Sequence, residues 1–443
     1  MFTKSNKALI ATAVAGALFA MTGSVAANDA LIDKLYDKGV INDAEYKEIK
    51  ADKGDPNSLK GKYKGGFKWE TLDGKNAFQL AGRIQSDFYD YNHDLEEDTF
   101  SIRRVYLGVK ATIDEIWGLE ATFNPDENVL EYGYLDFKPS KKFIARFGAQ
   151  KFYSGFEEGT SSRFTDFLER SVADGLQPGK QIGIQLFGEP VKDTFFYSIG
   201  YYNGEGKNTD ESGNTADGKD SMFAAAYNAA DLMGGGKDTI AHVGYSTSKG
   251  NRNRPAANAA GVVNVIFDID GEARGDTFGT WKLAAAGPNV FSRDHSNLSY
   301  VAARGPFKFQ GEITKVSVET PVQNDEVEAS YMALTYMITG EHYANSYSLK
   351  GMKGIKPNAP YSKAGGTGAW EIGIRKSEWD AQDVAVANYT GADLVKTTTV
   401  GVKWIPNEKV RFMLNLVDTK YDTPIVAAVG NEEAVMFRSQ IDF

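Results

Sequence analysis

Val435-Met436-Phe437-Arg438-Ser439-Gln440-Ile441-Asp442-Phe443 closes the chain and alternates without a break. Val435, Phe437, Ser439, Ile441 and Phe443 fall on one face of an extended strand; Met436, Arg438, Gln440 and Asp442 fall on the other. A last strand of this kind, ending on an aromatic, is the assembly signal of outer-membrane barrels. The opposite end agrees. Lys4 and Lys7 precede an apolar stretch, Ala8 to Met21, and Val25-Ala26-Ala27 supplies small residues for cleavage. Residues 1–27 therefore read as a secretory signal peptide cut after Ala26 or Ala27. The two ends together point to the outer membrane of a Gram-negative bacterium.

The 443 residues include 22 Tyr, 26 Phe and 46 Gly, and no Cys. Many strands, many turns and aromatic girdles suit that mix. After residue 27 no run of about 18 apolar residues offers a transmembrane helix. Mean hydropathy is negative, which a barrel tolerates because half of each strand faces water. The missing cysteines exclude a disulfide framework, and a net charge of −10 excludes general nucleic-acid binding.

Residues 28–60 read as a polar helical segment and linker, with Leu31, Ile32, Leu35 and Tyr36 in one stripe and Asn42 three residues before Glu45. The segment could pack between protomers or act as a tether. From residue 61 to 443 strand and loop continue. At about 10 residues per span plus connections, that length gives about 16 antiparallel strands, with 14 or 18 also fitting. Tyr63, Gly65, Phe67 and Trp69 alternate with Lys62, Lys64, Lys68 and Glu70 before an Asp73-Gly74 turn. Phe78, Leu80 and Ile84 should face lipid, as should Val410, Phe412 and Leu414. The expectation is an all-β transmembrane barrel with a wet interior.

The polar faces are mainly basic. Parity turns Arg83, Arg104, Lys110, Arg146, Arg375, Lys403, Arg411 and Arg438 inward, with Lys62, Lys64, Lys68 and Lys142 as further candidates. Acidic residues of the same parity are fewer: Glu70, Asp87, Glu312, Glu371 and Asp442. Rings of Arg and Lys line anion pores. The competing reading is that these cations only solvate the wall and pair with facing acids. His93, His242, His295 and His342 are spaced too widely for a zinc site and read as loop or strand-surface residues. Asp268-x-Asp270-Gly271 lacks the remaining ligands of a calcium loop. No metal or cofactor is expected.

Several stretches carry a family resemblance in order. They include Gly82-Arg83-Ile84-Gln85-Ser86-Asp87, Arg103-Arg104-Val105-Tyr106-Leu107, Phe147-Gly148-Ala149-Gln150-Lys151-Phe152 and Phe167-Leu168-Glu169-Arg170-Ser171. Gly183-Ile184-Gln185-Leu186-Phe187-Gly188, Thr339-Gly340-Glu341-His342-Tyr343 and Gly368-Ala369-Trp370-Glu371-Ile372 continue the series. Over the whole barrel the chain resembles the phosphate-selective porin O and P family. The resemblance implies a homotrimer of 16-stranded barrels, each narrowed by a loop folded into its lumen. Gln150 to Arg170 resembles that loop, with Lys151, Glu157, Glu158, Arg163 and Arg170 as its charged residues. Tyr153-Ser154-Gly155 stands where the family pattern has a proline. Between Tyr201 and Met233 only Lys207 and Lys219 are basic, so the resemblance carries the porin reading further than phosphate specificity.

The sequence thus leads to passive diffusion of small solutes, with small anions such as phosphate preferred, and contacts to outer-membrane lipid and lipopolysaccharide. The alternative is a general or weakly cation-preferring porin. A structural or adhesin barrel and a lipid hydrolase are the other classes. The hydrolase needs a nucleophile and His at the lipid edge, for which His342 beside Glu341 is the passing candidate. No enzymatic activity is expected.

Overall fold

A computed structural model describes residues 36–38, 42–43, 46–47, 58–63, 66–92, 97–204, 219–253, 265–275, 277–284, 290–423 and 431–443. The signal peptide, most of the N-terminal segment, Lys64, Lys207 and His93 lie outside the described residues.

The strands are β1 (Leu59–Tyr63), β2 (Phe67–Thr71), β3 (Ala77–Tyr91), β4 (Thr99–Ile113), β5 (Trp117–Asn124), β6 (Val129–Ser140), β7 (Phe143–Lys151), β8 (Lys180–Val191), β9 (Phe195–Tyr202), β10 (Asp220–Asn228) and β11 (Thr239–Asn253). There follow β12 (Val265–Asp270), β13 (Thr277–Lys282), β14 (Val290–Arg304), β15 (Phe307–Thr320), β16 (Gln323–Met337), β17 (Ala369–Asp380), β18 (Tyr389–Gly391), β19 (Leu394–Asn407), β20 (Val410–Tyr421) and β21 (Asn431–Asp442). Eighteen of them form one antiparallel sheet, and β12, β13 and β18 form a second of three. Within the large sheet, sixteen strands close on themselves because β21 pairs with β3. The β1–β2 hairpin adds to β3 at Ala77–Leu80, just below Arg83, where the pairing with β21 ends. The strand expected over 62–70 is therefore split into a hairpin that extends the sheet, and the closed ring starts at Ala77.

Closure runs to the last residue. Gly82 N–H donates to the Phe443 carbonyl at 2.8 Å and Phe443 N–H donates back at 3.0 Å. The Phe443 ring covers Gly82, where a Cβ would stand 2.2 Å from the ring. Only glycine leaves room for that aromatic cover.

Alternation holds as expected on β20. Leu414 is 44% exposed and Leu416 53%, while their neighbours Met413, Asn415 and Val417 are buried. At the end of the barrel shared with Phe443 most connections are tight turns, such as 141–142, 305–306 and 408–409; the opposite end carries most long loops. Short turns mark the periplasmic side. That rim has an aromatic belt: Trp117 with Phe137 at 5.0 Å, Phe307 with Tyr336 at 4.5 Å, and Trp370 with Trp404 at 5.7 Å. Such belts sit at the level of lipid headgroups. No helix among the described residues is long and apolar enough to cross a membrane.

The interior departs from expectation. One half of it is a packed core. The β12–β13 hairpin, inserted between β11 and β14, folds into the barrel and buries Ile269, Phe278 and Trp281 against Val316, Val327 and Trp379 on the wall. The reason is a polarity inversion near the outer ends of β15 and β16. There Lys315 faces outward and pairs with Glu326 at 3.3 Å and Glu328 at 2.6 Å, while Val316, Val318 and Val327 point in. An outward ion-pair lattice belongs in water, so these strands project beyond the bilayer and their apolar face needs an internal partner. A second segment, 338–368, enters from the periplasmic end. It buries Tyr343, Met352 and Ile355 against Phe156, Val301 and Ile405.

Candidate transport pathway

The segment 152–179, between β7 and β8, folds into the lumen as expected for the constriction. It holds a short helix, α1 (Phe156–Gly159), and a 3-10 turn, Val172–Leu176. Its anchors are buried ion pairs and hydrogen bonds to the β14–β21 half, with Arg103 on β4 also pairing with Glu169 at 2.9 Å. Arg438 grips both oxygens of Asp87 at 2.7 and 2.6 Å and also reaches Glu169 at 2.6 Å. Lys308 holds Asp166 at 2.6 Å, Arg375 holds Glu157 at 3.2 Å, and Arg411 donates to the Arg163 carbonyl. Arg375 also pairs with Glu272, at the tip of the β12–β13 hairpin. Ser377 and Thr399 donate their hydroxyls to the same carboxylate, the latter at 2.7 Å. Lys403 pairs with Glu371 at 2.7 Å. Of the eight cations expected to line the pore, Arg375, Lys403, Arg411 and Arg438 are thus buried clamps.

The other half stays open. Between the β3–β9 wall and the inserted segment lies a cavity of about 590 Å³. Arg83, Arg104, Lys110 and Arg146 line it from the wall, and Lys151, Glu158, Arg163 and Arg170 line it from the inserted segment. Glu157 turns away, accepting hydrogen bonds from the Ser171 hydroxyl at 2.7 Å and the Ser171 amide at 3.1 Å. In total nine lining residues are Lys or Arg and three are Asp or Glu. Several cations are compensated: Lys110 by Glu120 at 2.9 Å, Arg146 by Asp136 at 2.6 Å, Lys151 by Glu158 at 2.9 Å, and Lys180 by Glu131. Arg83 instead donates to the Ser162 hydroxyl at 2.9 Å. Among the described residues Arg83, Arg163 and Lys350 have no carboxylate oxygen within 4.0 Å, while the nearest to Arg104 is that of Glu169 at 3.9 Å.

Charge in the inserted segment is held by its neighbours. Burial works against the Glu169 carboxylate, yet Arg438, Arg103 and Arg104 outweigh it and hold the group well below the ordinary range. Burial likewise opposes Glu158, but Arg170 and Lys151 bring it down to about 2. Asp174 is pushed well above its usual value by burial, which the pull of Arg170 does not offset, and by the nearby Glu158.

Two contributors escaped the sequence reading. Lys180 opens β8 from what reads as the end of a loop. Lys350 comes from the periplasmic segment 338–368, which touches α1 through two glycines. A Cβ on Gly159 would lie 2.0 Å from the Lys350 carbonyl, and Gly351, at φ +132°, meets Thr160. No local pattern announces that contact. Tyr106, Tyr132 and Tyr134 also face the cavity.

Two histidines are corrected. His242 and His295 are buried inside the barrel, the first between Tyr153 and Tyr347, the second against Gln177 at 3.1 Å. Asp268 and Asp270 accept hydrogen bonds from Thr280 and Thr277 within the hairpin, each at 3.0 Å. Among the described residues no three His, Cys, Asp or Glu gather as metal ligands. His342 is exposed at the periplasmic end, and Glu341 accepts a hydrogen bond from the Asn358 amide.

The model of the phosphate-selective porin O and P family matches residues 78–443, the whole closed ring. The chain belongs to that family. The porin is 25% identical over 398 residues to Porin O of Pseudomonas aeruginosa, a match covering 82% of this chain and 87% of that one. In fold it is similar to OmpT of Vibrio cholerae, an outer membrane protein. The loop L8 deletion mutant of OmpT aligns with a TM-score of 0.51 at 12% identity, over 83% of this chain and 100% of that one. OmpT in a trimer form aligns with a TM-score of 0.50 at 12% identity, over 83% and 99%. The protein is therefore a porin of the Gram-negative outer membrane.

Proposed function

We propose that this porin passes small anions by passive diffusion along the β3–β9 wall. The observation that carries the reading is the surplus of cations around the open cavity, nine against three, with Arg83, Arg163 and Lys350 unpaired by any near carboxylate. A charge in a narrow channel with low-dielectric walls is screened less than at an open surface. An anion entering meets successive moderate sites, which lets it leave again. The family's name, phosphate-selective porin O and P, supports phosphate among those anions. Because many cations already hold carboxylates, we expect only modest discrimination of phosphate over chloride. A general or weakly cation-preferring porin is the alternative, favoured by the acidic partners of Lys110, Arg146 and Lys180.

The division into a signal peptide (1–27), an N-terminal segment (28–60) and a barrel (61–443) belongs to the same proposal. So does a homotrimer embedded in lipid and lipopolysaccharide, supported by the trimer form of OmpT. Single-channel recording across a KCl gradient tests the reading. A zero-current potential on the anion side supports it; one on the cation side returns the protein to the general-porin alternative.

A further inference from the structure

The open wall carries more than charge. Arg83 lies over the Tyr106 ring, 4.4 Å from its centre. Lys180 stands 5.7 Å from that ring and 4.9 Å from Tyr132. Tyr132 meets Tyr134 edge to face at 6.4 Å, and Arg146 covers Tyr134 at 3.6 Å. Cation and phenol ring thus follow one another along the wall from β3 to β8. A β-bulge builds part of the row. Thr122 pairs with Tyr132 and Phe123 with Leu130, so Glu131 is the extra residue. Glu131 is buried inside to hold Lys180, and Tyr132, Tyr134 and Asp136 then all face inward. Across the cavity stand Lys151, Arg163 and Arg170. At one end Lys350 lies between two more rings, 5.4 Å from Phe187 and 5.6 Å from Phe196.

We infer that this row is a recognition track for planar organic anions, in which an acidic group meets Arg or Lys and an attached aromatic ring stacks on the tyrosines. The inference rests on the anion reading above and names the class of anion. Inorganic oxyanions offer no face to a phenol ring, so cations with hydroxyl or amide donors would serve them. Interleaved rings and cations match a molecule that carries both a π-face and a negative charge. A cavity of about 590 Å³ admits a single-ring acid.

The test uses the full-length trimeric channel in a planar bilayer and compares benzoate with cyclohexanecarboxylate, which has the same charge and similar size but no π-face. Benzoate should halve the KCl current at a concentration about five-fold below that of the saturated acid, as aromatic stacking allows. Tyr132→Leu with Tyr134→Leu should abolish the difference in the assembled channel. Equal inhibition of the wild-type channel by the two acids overturns the inference even if the double variant fails to assemble. So does a difference that survives in the assembled variant. A cation-side potential in KCl would instead overturn the underlying anion reading, so the two failures are told apart.

Discussion

The two halves of the barrel use the same residue types for opposite ends. On the β14–β21 side Arg375, Arg411 and Arg438 are buried and bound to carboxylates or loop carbonyls. On the β3–β9 side Arg83, though only 5% exposed, and Arg104 line the cavity without a close carboxylate, and Arg146 lines it while paired to Asp136. An inward arginine is therefore not yet a pore residue. What decides is whether an inserted segment brings a carboxylate or a backbone carbonyl against it. Three segments pack on the late half, while the early half meets the inserted constriction and, through Lys350, the segment 338–368.

The contrast is broken most forcefully by removing the segment between the halves. Deleting residues 155–163 takes out α1, its glycine contact with 338–368 and the carbonyl that Arg411 holds. Conductance should rise about two-fold or more, since a 16-stranded barrel is wide enough for unselective flow, and anion preference should weaken. Unchanged conductance in a folded, membrane-inserted variant would show that the segment does not narrow the path.

Next in size is a change in the clamped half. Arg375→Met leaves Glu272 and Glu157 buried without their cation, which costs about 3–5 kcal/mol. Urea unfolding in detergent should register that loss, while the sign of selectivity stays as in the wild type. A loss below about 1 kcal/mol would mean the clamp is dispensable.

Single neutralisations in the open half should show the reverse pattern. For Arg83→Gln, an anion about 5 Å away in a water-filled slot loses ~0.8 kcal/mol, so anion preference should fall about two- to four-fold, most at low salt. Stability should hardly change. A large stability loss without a selectivity shift would move Arg83 into the clamped class.

The closed ring was legible because lipid imposes a period of two on every span, and Leu414, Ile84 and Ile441 obey it. Inward parity was equally legible for Arg83, Arg104 and Arg411. Which cations stay open was not. That depends on Glu272, Glu169 and Asp166, which lie in segments with no period, and on Lys350, brought from the opposite end of the barrel. The packed half left one overlooked trace: Val316 and Val318 alternate with Lys315, Ser317 and Glu319, an inside-out strand.

A smaller effect sharpens the comparison with pH. Asp174 lies at the open slot with its proton affinity raised by burial and Glu158, whereas Glu158 stays ionised to about 2. As pH falls, Asp174 takes up its proton before an ordinary carboxyl would, and the slot becomes more positive. Anion preference should rise slightly as it does so. Asp174→Asn should lose that early rise; a wild-type pH response in that variant would assign the effect elsewhere.

The most direct test of the central claim sets two triple variants side by side in a KCl gradient at low salt. One neutralises the open set, Arg83→Gln, Arg163→Gln and Lys350→Gln. The other neutralises the clamped set, Arg375→Gln, Lys403→Gln and Arg438→Gln. The account predicts that the open-set variant moves the zero-current potential towards cations, while any assembled clamped-set variant keeps a potential on the anion side. A potential that moves towards cations in the clamped set and stays put in the open set would contradict it.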